Sequence, residues 1–334
     1  MNLPDMLTFN EADALPGGAG AVHGSGQRLI VNNPKLKRQQ RIHAIGIAFM
    51  GSAGLTAALV LHCCVQPVSA VAVALFFLFF FLSGSGITIG HHRYFAHRSF
   101  RASKAVKVML ALLGSTNGQG PVVYWVAVHR MHHMHADRKG DPHSPNLHGP
   151  GFMNRLRGAL HAFIGWTVSH DVPNTNVFSR DLLSDKTIMW INQRYYWWLL
   201  AGWALPAILG GIFTGTAYGA LEGFLWGGLV RMLAVNSSLY AVAVAGHAHR
   251  AGSREFPTND RSTNSMWLAI PTMGDSWHHN HHAFPRAAII SLHWWQLDIS
   301  GLVVSAMEKI GIVSDVCRIT AEEMRAERPS RPES

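Results

Sequence analysis

Residues 67–97 read PVSAVAVALFFLFFFLSGSGITIGHHRYFAH. Positions 67–90 carry no charged side chain and contain the run Leu75-Phe-Phe-Leu-Phe-Phe-Phe-Leu82. That length suits the ~20 residues a helix needs to cross the hydrocarbon core of a bilayer. The stretch runs directly into His92-Arg-Tyr-Phe-Ala-His97. A membrane span that ends on histidines makes the fold an all-α membrane protein and places its chemistry where spans leave the bilayer.

The rest of the chain agrees. Of 334 residues, 48% are hydrophobic and 14% charged, against a usual charged share of ~25%. Residues 44–61 are uncharged, and a second pair of apolar stretches lies near 195–213 and 217–244. The last contains Glu222, Arg231 and Asn236. Such groups either face the bundle interior or mean that the helix projects beyond the bilayer. Four spans are expected. Lys35-Leu-Lys-Arg-Gln-Gln-Arg41 precedes the first, and the connections after the first and third carry no Lys or Arg. The positive-inside rule then puts both termini in the cytoplasm, and the protein in the cytoplasmic membrane if bacterial. The first residues are polar and Gly-rich and do not read as a signal peptide. The expected organisation is a flexible tail over 1–41, a membrane domain over 42–316 and a C-terminal tail over 317–334.

Net charge is +9. The basic residues form no single patch beside a nucleic-acid-binding motif, so the partner they favour is membrane lipid or a phosphate-bearing substrate. Cys63, Cys64 and Cys317 lie far from the histidines and carry no assigned chemistry.

Two more clusters join the first: His129-Arg-Met-His132-His133 and His278-His-Asn-His281-His282. Both have the spacing HxxHH. Positions i, i+3 and i+4 share one face of a helix, and neutral imidazole is a ligand for Fe, Zn, Cu or Ni. Eight histidines suit two ions. Scattered ones such as His23, His148, His161 and His170 read as ordinary surface or core residues. The first two clusters fall between the second and third spans, and the third follows the fourth span. An even number of crossings separates them, so all lie on one side of the membrane, under a helical cap. The segment Lys104–Leu113 is too short and too basic at its start to span, and reads as an interfacial helix. His92 and His97 are five apart, roughly 140° on an α-helix. They meet on one ion only if the helix ends or bends there, or if the ion sits in a groove between helices. Ser83-Gly-Ser-Gly86 just upstream permits close helix packing.

The stretches GHHRYFAHRSF (90–100), WVAVHRMHHMHADRKGDPHSP (125–145), HRAGSREF (249–256), GDSWHHNHHAFPR (274–286) and WWQLD (294–298) resemble those of the integral-membrane acyl desaturases of the stearoyl-CoA desaturase type, the bacterial branch most of all. The resemblance runs from about residue 42 to 316. It implies two irons held by nine histidines. One iron would take His92, His97, His129, His133 and His282; the other would take His132, His249, His278 and His281. It also implies an Asn, four residues before the position of His249, that steadies a metal-bound water. Here that position is Ala245, which leaves His247 or His279 as candidates for the contact. Asp137, Asp141 and Asp275 are expected to orient ligating imidazoles from behind. Trp125 and Arg130 are expected at the substrate.

The implied reaction is oxygen-dependent desaturation of a fatty acyl chain carried by CoA, acyl carrier protein or an intact lipid, with O2 as co-substrate. Hydroxylation or acetylenic-bond formation on the same scaffold is the alternative. A metal transporter or sensor is the non-enzyme alternative, and would place histidines along the spans rather than at one face. Leu15-Pro-Gly-Gly18 lacks the histidine of a fused cytochrome b5 haem motif, and no ferredoxin cysteine set is present. Electrons are therefore expected from a separate ferredoxin, rubredoxin or cytochrome b5 with its reductase.

Overall fold

The computed structural model describes residues 29–248 and 252–328. In chain order the principal helices are α1 Pro34–Cys64, α2 Ala70–Ala96, α3 Lys104–Ser115, α4 Val122–His135, α5 Tyr195–Thr214, α6 Ala217–Ala245, α7 His278–Ala283 and α8 Ile299–Lys309. Helices α1, α2, α5 and α6 are long and apolar enough to cross a membrane. Large side chains such as Phe49, Phe77, Ile208 and Phe213 point outward from them, as a lipid-facing surface requires.

Helix α1 begins before the expected tail boundary at residue 41. Asn33 caps it, its side chain accepting from the amides of Lys35 and Leu36, and Pro34 opens the first turn, where its missing N–H costs nothing. Residues 34–41 are therefore helix, and they anchor to the cap. Lys37 pairs with Asp171 at 3.0 Å, and Arg41 donates to the Val168 carbonyl at 3.0 Å.

Inside lipid, helices associate through close packing and not through the hydrophobic effect. A Cβ at Gly54 would lie 2.5 Å from Leu229 Cβ, so α1 and α6 touch there with no room for a side chain. A Cβ at Gly86 would lie 2.2 Å from the Gly114 amide, so α2 and α3 cross just as closely. The polar groups of α6 face the bundle interior. Buried Glu222 accepts from the Ser69 amide at 3.0 Å, at the start of α2. Arg231 is fully buried and donates to Gly227 O, Ser83 Oγ, Thr116 O, Asn117 Oδ1 and Gly202 O.

The segments after α2, between α4 and α5, and after α6 form the cap. Phe95, Phe100, Val123, Ile188, Ile191, Ala288 and Val304 are among its core. Arg101–Ala102 and Val313–Ser314 pair as two short antiparallel strands. The expected C-terminal tail is bound in: Cys317 bonds to Ser99 O and to the Ala288 amide, and a further helix, Ala321–Glu327, starts on the Thr320 capping box. All three cysteines are free.

Candidate metal centre

The end of α2 resolves the spacing of His92 and His97. Gly86–Ala96 is wound as a π-helix, and the His97 amide bonds back five residues to His92 O at 3.1 Å. Hydrogen bonds to i−5 widen the turn, so five residues nearly close it. The two rings come within 5.1 Å of each other.

Three elements then bring the imidazoles into two groups. In the first, donor nitrogens of His92, His97, His129 and His281 lie within 4.8 Å of one another. His133 joins them, its Nε2 lying 3.1 Å from that of His129 and 2.9 Å from that of His281. The second group is His132, His247, His278 and His282. On α7, His278 and His282 are one helical turn apart with rings at 4.3 Å, while His281 turns to the other side. This corrects the expected partition: His281 belongs with the first group and His282 with the second. On α4 the same geometry sends His129 and His133 one way and His132 the other.

His249 lies outside the described residues. Among the described residues of this segment, His247 reaches the second group, its Nε2 3.0 Å from that of His278. Its donor nitrogen lies within 4.8 Å of those of the other three. His279 faces away. Its Nε2 accepts the Phe256 amide at 3.0 Å and its Nδ1 lies 3.0 Å from Ser262 Oγ, so it braces the cap. Arg130 also has a structural role: it donates to Phe95 O, Ala96 O and Phe178 O and pairs with Asp181 at 2.8 Å. It is not among the residues that line the cavity described below.

Carboxylates hold the outer nitrogens. The Nδ1–H groups of His92, His132, His247 and His282 donate to Asp275 (3.0 Å), Asp141 (2.9 Å), Asp137 (2.8 Å) and Asp260 (2.7 Å). Asp260 has no recognisable spacing from the histidine clusters. The nearest signal is that it is the one acidic residue between Glu255 and Asp275. Burial alone would raise these carboxyls, yet the histidines against them hold all four below the usual carboxylate range. Burial pushes His97, His129, His133, His278 and His281 well below the ordinary imidazole value, and neighbouring imidazoles add to the effect. Burial also lowers His282 to about 4, against the pull of Asp260. His132 is the exception: burial lowers it, but Asp141 with Asp137 and Asp260 outweighs burial and raises it. The six lowered imidazoles are thus held neutral, the state in which imidazole binds metal.

The donor arrangement fits a cation. With Nδ1–H committed to Asp141 and Asp260, the Nε2 atoms of His132 and His282 hold only lone pairs. They face each other at 3.3 Å. No proton can bridge them while both rings are neutral. A metal ion would take both lone pairs as ligands, held by His132 and His282.

A small cavity of about 110 Å3 opens beside both groups. Its walls include Ile87, Gln119, Trp125, Val128, His143, Leu239, Tyr240 and Ala243, with His92, His129, His132 and His278 at the metal end. Trp125 stacks on His129, with ring centroids 5.1 Å apart and planes 18° apart, and donates Nε1–H to Gln119 at 2.8 Å. His143, unassigned from sequence, stacks on His132 at 4.2 Å.

Four spans carrying two all-imidazole groups under a helical cap define a membrane-bound polyhistidine metalloenzyme. The fatty acid desaturase profile matches residues 27–299, and the chain belongs to that family. It is an oxidoreductase that desaturates fatty acyl chains. Over 264 residues it is 46% identical to the hex-5-enoyl-[acyl-carrier protein] acetylenase of Moorena producens, covering 78% of this chain and 82% of that protein. It is 36% identical over 248 residues to Delta-9 acyl-lipid desaturase 1 of Arabidopsis thaliana, covering 73% and 74%. It is 32% identical over 250 residues to the sn-1 stearoyl-lipid 9-desaturase of Anabaena variabilis, covering 74% and 84%.

Proposed function

We propose that this enzyme dehydrogenates a short acyl chain carried as a thioester on acyl carrier protein, taking an alkane to an alkene or an alkene on to an alkyne. The observation that carries the reading is the small cavity ending at the two imidazole groups. It is supported by the 46% identity to a relative named for a hex-5-enoyl substrate. On the scale where one water needs about 10–15 Å3, the cavity has room for roughly 7–11 small groups, which suits a short acyl chain.

Two irons fit the nine-histidine set read from the sequence, with His247 added to the second group. Iron supplies the activation of O2 and the removal of hydrogen from an unactivated carbon. The chain's own residues orient and exclude. Asp137, Asp141, Asp260 and Asp275 fix which nitrogen of each imidazole faces inward. Trp125, Ile87 and Leu239 keep the acyl chain in apolar surroundings and water out. The balance is simple: the chain loses two hydrogens, and O2 with two electrons and two protons becomes two waters. The electrons come from a separate donor of the ferredoxin, rubredoxin or cytochrome b5 type, docking on the cytoplasmic side, where both termini lie.

The test is to supply hexanoyl- and hex-5-enoyl-acyl carrier protein to the purified enzyme with iron, O2 and a ferredoxin couple, and to weigh the products. Loss of two hydrogens from either substrate is expected. Turnover of stearoyl lipid alone would refute the short-chain reading.

A further inference from the structure

The cavity stops at the same depth on two spans, and at that depth the side chains change from apolar to polar. On α2 the lining residues are His92 and Ile87; Ser83, four residues further in than Ile87, lies outside the cavity. On α6 the lining residues are Leu239, Tyr240, Val242 and Ala243. Asn236, three to four residues further in on the same face, does not line it. Ser83 and Asn236 are instead parts of one hydrogen-bonded layer. Gln119 Nε2 donates to Asn236 Oδ1 at 3.0 Å. Asn236 Nδ2 donates to Asn117 O at 2.9 Å, and Asn117 Nδ2 donates to Ser83 O at 2.7 Å. Arg231 adds bonds to Ser83 Oγ and Asn117 Oδ1. Asn236, Asn117, Ser83 and Arg231 are all buried.

We infer that Asn236 sets the length of acyl chain this enzyme accepts, by fixing Gln119 across the inner end of the cavity. The inference rests on the proposed reading of the cavity as the acyl site. From Ala243, beside the metal end, to Asn236 is seven residues, roughly 10 Å of helix rise. A methyl terminus reaching Gln119 meets a carboxamide whose oxygen is engaged by Trp125 and whose nitrogen is engaged by Asn236. A longer chain must break those bonds and leave buried polar groups unpaired. Apolar pockets alone discriminate one methylene by only about 10–200-fold; a polar floor makes the limit sharper.

The experiment measures turnover of hexanoyl-, octanoyl- and decanoyl-acyl carrier protein in competition, using the iron-loaded enzyme. The wild type should prefer the six-carbon chain at least tenfold over the ten-carbon one. Equal use of all three would overturn the short-chain reading itself. Asn236→Ala, which removes the carboxamide, should raise the ten-to-six-carbon product ratio at least tenfold. Asn236→Ser keeps a hydroxyl for the polar layer and should shift it in the same direction. A short-chain preference in the wild type that both folded variants retain would leave the reading standing and overturn the role of Asn236. One arm needs no variant. An octanoyl thioester bearing a terminal diazirine should label Gln119, Leu239 or Tyr240 of the wild-type protein. Labelling at Met232 or Arg231, beyond the layer, would overturn the inference even if neither substitution folds.

Discussion

His132 and His282 aim their Nε2 atoms at each other across 3.3 Å while Asp141 and Asp260 hold the opposite nitrogens. Each carboxylate fixes a tautomer, and two fixed tautomers present two lone pairs to one point. Removing one carboxylate releases its ring. Asp260→Ala is expected to lower metal affinity of the second group by 10–100-fold and leave the first group loaded. Chelator titration followed by elemental analysis should show about one ion lost per chain at a chelator level that strips nothing from the wild type. Retention of both ions at that level would mean that Asp260 is a surface partner only.

The two spare histidines of the sequence have different environments, and substitution should separate them. His247 is fully buried with its Nε2 among the second group; His247→Ala should lose one ion per chain and activity with it. His279 spends both ring nitrogens on the cap. His279→Ala should keep both ions and lower the thermal midpoint, since an unsatisfied buried amide costs about 1–3 kcal/mol. Full metal content and activity in His247→Ala would return the ligand role on this segment to His249.

The partition of α7 predicts a pattern of metal loss in double variants. His281→Ala with His92→Ala damages one group twice and should leave one ion, as should His282→Ala with His132→Ala. His281→Ala with His132→Ala damages both groups and should leave less than one. Metal counts that instead follow the pairing of His282 with His92 would reverse the assignment.

Much of this was legible because two periodicities were strong. Apolar runs of membrane length gave the four spans, and HxxHH gave two helical faces of imidazole. What the spacing could not give was rotation. Whether His281 or His282 faces His92 depends on how α7 is turned against α4, and that is set by contacts such as His282 with Asp260, 22 residues away. The π-helical winding of α2 was equally hidden, since an α-helical reading separates His92 from His97. Arg130 looked like a substrate residue because it sits among ligands. Its partner Asp181 is 51 residues downstream, and no local pattern links them. The start of α1 at Asn33 and Pro34 was missed, because the basic residues that follow read as tail.

The joining of α1 to the cap, with the basic residues at its start, predicts the membrane orientation. Lys37, Gln40 and Arg41 bond to residues 167–171, so the start of α1 lies on the metal side. Reporter fusions after residues 65 and 215 should both read as external, and one after residue 316 as cytoplasmic. Opposite signals after residues 65 and 215 would mean an odd number of crossings between them and would break the arrangement.

The last prediction concerns pH. His170 is buried in the cap, its Nδ1–H donating to Trp166 O at 2.6 Å and its Nε2 accepting from Tyr124 O–H at 2.7 Å. Gln40 of α1 reaches the same ring, its Nε2 lying 2.9 Å from Nδ1. Burial lowers the imidazole from 6.5 to about 4, with the Trp166 carbonyl opposing. A depressed imidazole favours the unfolded state once that state begins to take up protons. Its contribution to stability is therefore complete above pH ~6.5 and is lost as pH falls from there towards ~4. The gap converts to about 3 kcal/mol at most. Other buried histidines titrate in the same window, so the comparison must be with a variant. The thermal midpoint of the wild type in detergent should fall more steeply between pH 6.5 and 4.5 than that of His170→Gln, and the two curves should converge at the acid end. Parallel curves would show that His170 is charged at little cost and that the junction of α1 with the cap is insensitive to it.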